Sequence, residues 1–248
     1  MNPSDDPKPA TFPQTRWTLV VSAGREDDTD SERALQSLCQ DYWYPLYCYT
    51  RRRGSSASDA EDLTQGFFEH LLVQKELAGA APEKGRFRSF LLTAFKHYIT
   101  DEWRRSQAKK RGGRHTIVSF DQLEAEERFQ AEPLDHETPE SLFEQAWAKT
   151  LLASILKKLG EEQRAAGKEE IFEVIRPFVE WSMAIDSDYS KAAKSLDMTA
   201  NAVRVMVFRT RQRYTELLRN EIAETVATPE EAASEMDHLF SVLRGDAA

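Results

Sequence analysis

Residues 189–213, with the sequence YSKAAKSLDMTANAVRVMVFRTRQR, contain the pattern that decides the fold. A helix-turn-helix needs small residues where its two helices cross, an apolar residue before the turn and a capped second helix. Ala192 and Ala193 are the small residues at the predicted crossing. Leu196 precedes the turn, and Thr199 is placed to cap the second helix. The stretch therefore predicts a helix-turn-helix.

The second helix of this unit is predicted to have one core face and one outward face. Its apolar positions Val203, Met206 and Val207 follow helical spacing and face the core. No acid occurs between residues 198 and 214, whereas a surface helix usually mixes charge signs along one face. An ordinary helical hairpin with a solvated basic face remains an alternative to DNA binding. The outward residues that would meet bases are Ala200, Asn201, Arg204 and Val205, and those that would meet phosphates are Arg209, Arg211 and Arg213.

The pattern A-A-x-x-L-x-M-T-x-x-A-V-R-x-x-x-x-R-x-R in this stretch resembles region four of bacterial RNA polymerase sigma factors. In that family the helix-turn-helix reads the -35 promoter element. The resemblance implies that Asn201, Arg204 and Val205 approach bases. The full set of -35 residues that it implies is Lys191, Thr199, Ala200, Asn201, Arg204, Val205, Arg209, Arg211 and Arg213.

The charge distribution resolves an apparent conflict with DNA binding. The 248-residue chain has a formal net charge of -9, which is unfavourable for binding phosphates. However, residues 84–114 hold ten Lys or Arg against two acids, and residues 189–219 hold seven against two. Residues 119–144 instead hold nine acids against one base, and residues 221–248 are acidic again. Because charge attraction is screened over about 10 Å, the local basic blocks matter more than the net charge.

Composition and periodicity predict an all-α protein. Ten Gly and ten Pro are few for this length, and good helix formers recur throughout. Pro45 is expected to kink or split its helix, and Ser58 with Glu61 is expected to cap the next one. Trp103 is assigned to an apolar helix face. The predicted helices span residues 15–23, 32–53, 58–73, 87–110, 140–159, 168–181, 189–196, 199–222 and 228–243.

The segment SDAEDLTQGFFEHLL, residues 58–72, has the common region-two pattern D-A-E-D-L-x-Q-x-x-F of the same family. There the segment docks on the clamp of the polymerase largest subunit. Its acidic side would suit a basic partner helix, although acids at a helix start also simply favour the helix dipole. The polymerase-binding residues that the resemblance implies are Asp59, Asp62, Gln65 and Phe68.

Residues 84–114 are similar to the part of region two that melts and reads the -10 element. Basic residues interleaved with aromatic ones suit single-stranded DNA, because cations hold the backbone and rings stack on bases. Three positions depart from the family pattern: His97 replaces the usual Asn, Phe90 the usual Trp, and Trp103 an aliphatic residue. The -10 residues that the resemblance implies are Lys96, His97, Asp101, Arg104, Arg105, Lys109, Lys110 and Arg111.

Taken together, the motifs and their order resemble a sigma-70 family factor of the extracytoplasmic-function type. The expected organisation is a disordered leader (1–14), a region-two-like helical domain (15–115), an acidic linker (116–139), a region-four-like helix-turn-helix domain (140–222) and an acidic helical tail (223–248). The implied partners are bacterial core RNA polymerase, promoter DNA and an anti-sigma factor or other regulator. The free chain is expected to be a cytoplasmic monomer without membrane insertion.

Other classes of function have less support. The chain has no Gly-rich phosphate loop, HExxH motif or nucleophile elbow, so an enzyme is not expected. Cys39 and Cys48 lack metal-ligand spacing and are expected to be reduced core thiols, with no metal and no cofactor. Two alternatives remain open. One is a helix-turn-helix regulator that acts without core polymerase, and the other is a sigma-like adaptor that only binds polymerase.

Arg204→Ala tests the assignment of the recognition helix. If Arg204 contacts a base edge, its loss should relax base preference at one position of the -35 element and cost about 1–3 kcal/mol of binding free energy. The measurement is the affinity for a set of duplexes with single base changes. Uniform weakening across all sequences would make Arg204 a phosphate contact instead.

Overall fold

The computed structural model describes residues 29–74, 86–108, 122–131, 138–180, 189–226 and 228–245. No β-strand occurs in these ranges, and the prediction of an all-α fold is confirmed. Three expectations lie outside the described residues: the leader, the helix at 15–23 and the -10 residues Lys109, Lys110 and Arg111. In chain order the helices are α1 (Thr29–Arg52), α2 (Ala57–Gln74), α3 (Phe87–Ala108), α4 (Gln122–Gln130), α5 (Pro139–Ala165), α6 (Glu169–Val179), α7 (Ser190–Ser195), α8 (Ala200–Ala223) and α9 (Pro229–Arg244).

Threonine caps set the starts of three helices. The hydroxyl oxygens of Thr138, Thr199 and Thr228 accept backbone N–H groups at the first turns of α5, α8 and α9. At α9 the cap is reciprocal, because the Glu231 carboxylate also accepts the Thr228 backbone N–H. Such caps satisfy amides that have no partner within the helix. The predicted starts of α8 and α9 are therefore confirmed.

Two local expectations are narrowed or corrected. Pro45 was expected to kink or split its helix, and it does not split it, because α1 continues through Pro45 as one element. Helix α2 is capped by Ser56 and not by Ser58: the Ser56 hydroxyl oxygen accepts the Asp59 backbone N–H at 3.1 Å, and the hydroxyl donates to the Asp59 carboxylate at 2.7 Å. Both serines have an acid three residues later, but the turn at Gly54, where φ is 95°, starts the helix at the earlier one.

The segment expected to be an acidic linker contains helix α4, which packs on the first helices. Ala125 and Phe129, four residues apart, are both buried. Between them Glu126 accepts two hydrogen bonds from Arg51, at 2.7 and 2.9 Å, and one from the Tyr47 hydroxyl at 2.5 Å. Hydrogen bonding to Arg51 lowers the pKa of the Glu126 carboxyl. Part of the acidic charge therefore belongs to a packed helix and neutralises a cation of α1.

Helix α1 makes its most extensive contact with α5, although the sequence assigns the two to different domains. Trp43, Leu46 and Tyr47 on α1 and Leu142 and Phe143 on α5 are among the most deeply buried side chains. Buried apolar side chains from each of the helices α1 to α9 belong to one continuous cluster. The division into two domains remains a prediction. Helices that the sequence assigns to different domains contribute side chains to the same cluster.

Both cysteines lie on α1 within this cluster. Cys39 and Cys48 are buried and form no disulfide, as expected for reduced core thiols. Burial raises the pKa of the Cys39 thiol to about 12. The neutral thiol is therefore the form present at physiological pH, and it packs as a small apolar group.

A buried ion network joins α3, α5 and α9. Arg88, at the start of α3, donates from Nε to Glu235 Oε1 at 2.9 Å and from Nη2 to Glu235 Oε2 at 3.1 Å. Its third nitrogen donates to Glu144 of α5. The side chains of Arg88 and Glu235 are 5% and 2% exposed, and the guanidinium lies 4.6 Å from the Trp147 ring centroid. A buried arginine of this kind requires both carboxylates, because an unpaired buried charge costs several kcal/mol.

Further contacts surround the network. Arg86 pairs with Glu235 at 2.9 Å, and the Phe87 backbone N–H donates to the Thr225 carbonyl at 3.2 Å. His238 of α9 lies 3.1 Å from Glu144 Oε2. Burial, with nearby Arg88, lowers the pKa of His238, so its neutral ring hydrogen-bonds to the carboxylate near pH 7. The C-terminal helix is therefore tied to the start of α3 and to α5 at the same point.

Replacing Glu235 should expose the dependence of the fold on this network. Glu235→Ala leaves Arg88 buried without its bidentate partner and should lower the free energy of unfolding by about 3–5 kcal/mol. Asp237→Ala, at an exposed position on the same helix, is the matched control and should change it by less than about 0.5 kcal/mol. Urea unfolding measures both. Equal effects of the two substitutions would contradict the role of Glu235.

Candidate nucleic-acid interface

The turn between α7 and α8 has the geometry that the sequence pattern predicts. The Met198 backbone N–H donates to the Ala193 carbonyl at 2.9 Å, and that of Asp197 donates to the Lys194 carbonyl at 3.4 Å. This pairing ends α7 in a Schellman motif, whose left-handed position is Asp197 with φ 51°. Asp is one of the residues that adopt this conformation with little penalty. Ala192 and Ala193 are buried at the crossing.

Helix α8 separates its residues into two faces. Val203, Val207 and Thr210 face the interior. From Ala200 to Gln212 the exposed face repeats at spacings of one and three residues and contains no acid; Glu216 follows one turn later. Of the predicted -35 residues, Lys191 on α7 and Thr199 at the cap are also exposed. The exposed residues of the outward face of α8 are Ala200, Asn201, Arg204, Val205, Phe208, Arg209 and Gln212.

Arg204 and Arg209 project from this face without a carboxylate partner in the part of the chain that the structure describes. The Arg204 guanidinium lies 5.9 Å from the ring centroid of Tyr189, which is itself 5.0 Å from the ring of Phe178. An arginine held over an aromatic ring has fewer orientations to lose on binding. Arg204 is therefore oriented before any ligand arrives.

Arg211 and Arg213, which the sequence predicts to contact phosphate, have hydrogen-bond partners within the protein. Arg211 donates from Nε to the Phe178 carbonyl at 2.7 Å, which joins α8 to the end of α6. Arg213 makes a bidentate pair with Glu162 of α5 at 2.7 and 2.9 Å and a further bond to Glu216 at 3.2 Å. The bond to Arg213 lowers the pKa of the Glu162 carboxyl. These internal contacts position α8 and compete with the phosphate role that the sequence predicts for the two arginines.

A groove of about 400 Å³ lies between α2 and α3. Gly66 of α2 permits the helices to approach closely, because a Cβ there would lie 2.5 Å from the Tyr98 hydroxyl. The ring of Tyr98 lies 5.6 Å from Phe67 and 5.4 Å from His70 between centroids. Burial raises the pKa of Tyr98 to about 12, so the phenol stays neutral. The groove is lined by His70, Leu71, Phe90, Thr93, Ala94, His97, Tyr98, Asp101 and Arg105.

The predicted -10 residues do not all lie in one place. His97, Asp101 and Arg105 line the groove. Arg104 is exposed beyond it and lies 3.4 Å from Asp101. Lys96 instead pairs with Glu140 at the start of α5, at 2.6 Å. The structure therefore brings the histidine and one arginine to the groove and directs Lys96 to the contact between α3 and α5.

Two aromatic residues lie where the sequence reading did not expect them. Trp103, assigned to the apolar face of α3, is 63% exposed. Phe68, assigned to polymerase binding, is 2% exposed and packs 5.5 Å from Phe67 between ring centroids. Phe68 offers almost no surface to a partner, so that part of the prediction is corrected.

The other predicted polymerase-binding residues lie along α2 as expected from their spacing. Asp59 and Asp62 are exposed. Asp59 is also the acid of the helix cap. Gln65 is half-buried, and its amide donates to Glu61 at 3.2 Å. One edge of α2 thus presents an acidic surface, and the opposite edge fills the core.

The sequence reading missed two exposed residues of the helix-turn-helix. Phe208 is 60% exposed and follows Arg204 and Val205 at spacings of four and three, which is the signal that could have identified it. Lys194 is exposed near Lys191 on α7. Within the described ranges, no group of three His, Cys, Asp or Glu side chains is placed to hold a metal ion. Nor does any described helix have the length and apolar character needed to cross a membrane.

Comparisons with protein-family models, with curated proteins and with solved structures gave no match.

Arg209 and Arg213 provide a matched test of the interface. Arg209→Ala should weaken DNA binding about equally for all sequences and reduce the slope of log affinity against log salt by about one, because one phosphate contact is lost. Arg213→Ala should leave that slope nearly unchanged and lower the unfolding midpoint, because Arg213 is bound to Glu162. Salt titrations of DNA binding and urea unfolding measure both. A reduced salt slope for Arg213→Ala with an unchanged slope for Arg209→Ala would contradict the assignment of Arg209 as the phosphate contact.

Proposed function

We propose that the chain is a sigma factor that directs bacterial core RNA polymerase to specific promoters. Helix α8 reads the -35 element in duplex DNA. The groove between α2 and α3, with Arg104 and Arg105 of α3, holds the strand-separated -10 element. The acidic edge of α2 binds the polymerase. Each role follows from the sequence resemblance and from the chemistry of the side chains at that surface.

The observation that carries the proposal is the outward face of α8. It is free of acids from Ala200 to Gln212, begins at a capped N-terminus and presents Arg204 and Arg209 beside Asn201. Arginine donates two parallel hydrogen bonds to guanine, and asparagine pairs in the same way with adenine in the major groove. The positive end of the helix dipole adds to the attraction for phosphate. A solvated helix with no DNA role has no physical need for this combination.

The α2–α3 groove supports the second part of the proposal. Tyr98, His97 and Phe90 offer flat rings, and Arg105 supplies a cation at the same opening. Unpaired bases are held by stacking on rings while cations hold the backbone. A duplex offers no exposed base faces, so a ring-lined groove of this kind favours separated strands. Exposed Trp103 and Arg104 extend the same surface towards the end of α3.

The test is equilibrium DNA binding by the full chain with and without purified core polymerase. The probes are a library of duplexes and the same duplexes with a short internal bubble. A sigma factor should bind weakly alone. With core polymerase it should select one asymmetric sequence and bind the bubble-containing form more tightly. Asp62→Ala should weaken core binding, and Asp237→Ala, at an exposed position on α9, is its matched control.

Two results would overturn the proposal in favour of the alternatives. Tight binding of a palindrome by the chain alone, unchanged by core polymerase, would indicate a one-component regulator, since these bind as dimers to symmetric sites. Binding to core polymerase without any sequence preference would indicate an adaptor.

A further inference from the structure

The outward face of α8 carries an apolar stripe that the proposed arginine contacts do not use. Among the large apolar side chains that the structure describes, the exposed ones are Trp103, Met198, Val205 and Phe208, at 63%, 38%, 42% and 60%. All except Trp103 belong to the helix-turn-helix. Val205 and Phe208 are one turn apart, so their side chains are neighbours on the helix surface.

The surroundings of this stripe fit nucleic acid better than protein. Phe208 lies one turn beyond Arg204 and is followed directly by Arg209, and residues 198–215 contain no Asp or Glu. Phe208 is therefore bordered by cations, whereas Val205 also lines a groove with Ile171 and Met206. Protein interfaces instead tend to have a broad core from which most charged residues are depleted. An apolar stripe between Arg204 and Arg209 matches a major groove, where apolar methyl groups project between phosphate-lined walls.

We propose that Phe208, with Val205, is a specificity-determining residue that contacts the 5-methyl groups of thymine in the -35 element. Thymine is the one standard DNA base with an apolar group in the major groove, and phenylalanine is among the side chains that contact it. Arg204, whose guanidinium lies 5.9 Å from the Tyr189 ring centroid, borders these residues on the outward face. The stripe then selects A·T pairs next to the bases that Arg204 and Asn201 read. This inference rests on the proposed function and adds the base class that the site selects.

The experiment removes only the methyl group. The full chain with core polymerase first selects its duplex sequence from a random library. Each thymine of the selected -35 region is then replaced singly by deoxyuridine, which pairs identically and lacks the methyl group. At one or two positions deoxyuridine should bind about fourfold more weakly, the factor expected for one buried methyl-sized group. At the position that Phe208 contacts, Phe208→Ala should bring that ratio to one, and its thermal unfolding should match that of the unchanged chain because the ring is exposed.

Arg204→Ala is the matched comparison, because it should weaken binding of both duplexes while the thymine-to-deoxyuridine ratio persists. Equal affinity for the two duplexes in the unchanged chain would overturn the inference, and this comparison needs no variant. A selected element without thymine, or a ratio that survives in Phe208→Ala, would also overturn it. In each of these cases sequence selection itself remains, so the proposed function stands. Failure to select any sequence with core polymerase would overturn both.

Discussion

The arrangement of the helices depends on the burial of one cation. Arg88 is nearly excluded from solvent and is paired with Glu235 and Glu144, which come from α9 and α5. In the interior such a charge is tolerated only when carboxylates meet it in good geometry. The start of α3, the middle of α9 and the first turns of α5 must therefore meet at this point. Apolar contacts would permit some sliding of these helices, whereas a bidentate ion pair permits little.

Helix α5, which carries Glu144 of this ion network, also contacts both proposed DNA-binding elements. At its N-terminal end, Glu140 pairs with Lys96 of α3. Near its C-terminal end, Glu162 holds Arg213 of α8, and between these points the Tyr214 hydroxyl donates to the Leu152 carbonyl at 3.1 Å. Helix α5 has 27 residues and is about 40 Å long at about 1.5 Å per residue. It is thus a common support for α3 and α8, and their relative position in the free chain follows from its length.

Local sequence patterns predicted the elements well where the determinants are close in the chain. The Thr199 and Thr228 caps, the alanines at the α7–α8 crossing and the faces of α8 all follow from spacings of one to four residues. The exposed Phe208 follows from the same periodicity. Helix α4 could also have been recognised, because Ala125 and Phe129 have helical spacing within an otherwise acidic segment.

Contacts between distant residues could not be predicted in this way. Arg88 and Glu235 are 147 positions apart, and Arg213 and Glu162 are 51 apart. The local sequence around an arginine or a lysine does not show whether its side chain will bind DNA or pair with a carboxylate of another helix. For this reason Lys96, Arg211 and Arg213 were assigned to DNA although each has an internal partner. Phe68 and Trp103 were misplaced because the helix rotation that selects the buried face depends on neighbouring helices.

The most direct measurement of the central claim is run-off transcription with purified bacterial core polymerase on a library of promoter fragments, in the presence and absence of the full chain. If the chain is a sigma factor, new transcripts should start at defined positions, depend on the chain and share one upstream and one melted element. The chain binding core polymerase under these conditions without producing any promoter-specific transcript would contradict the central claim.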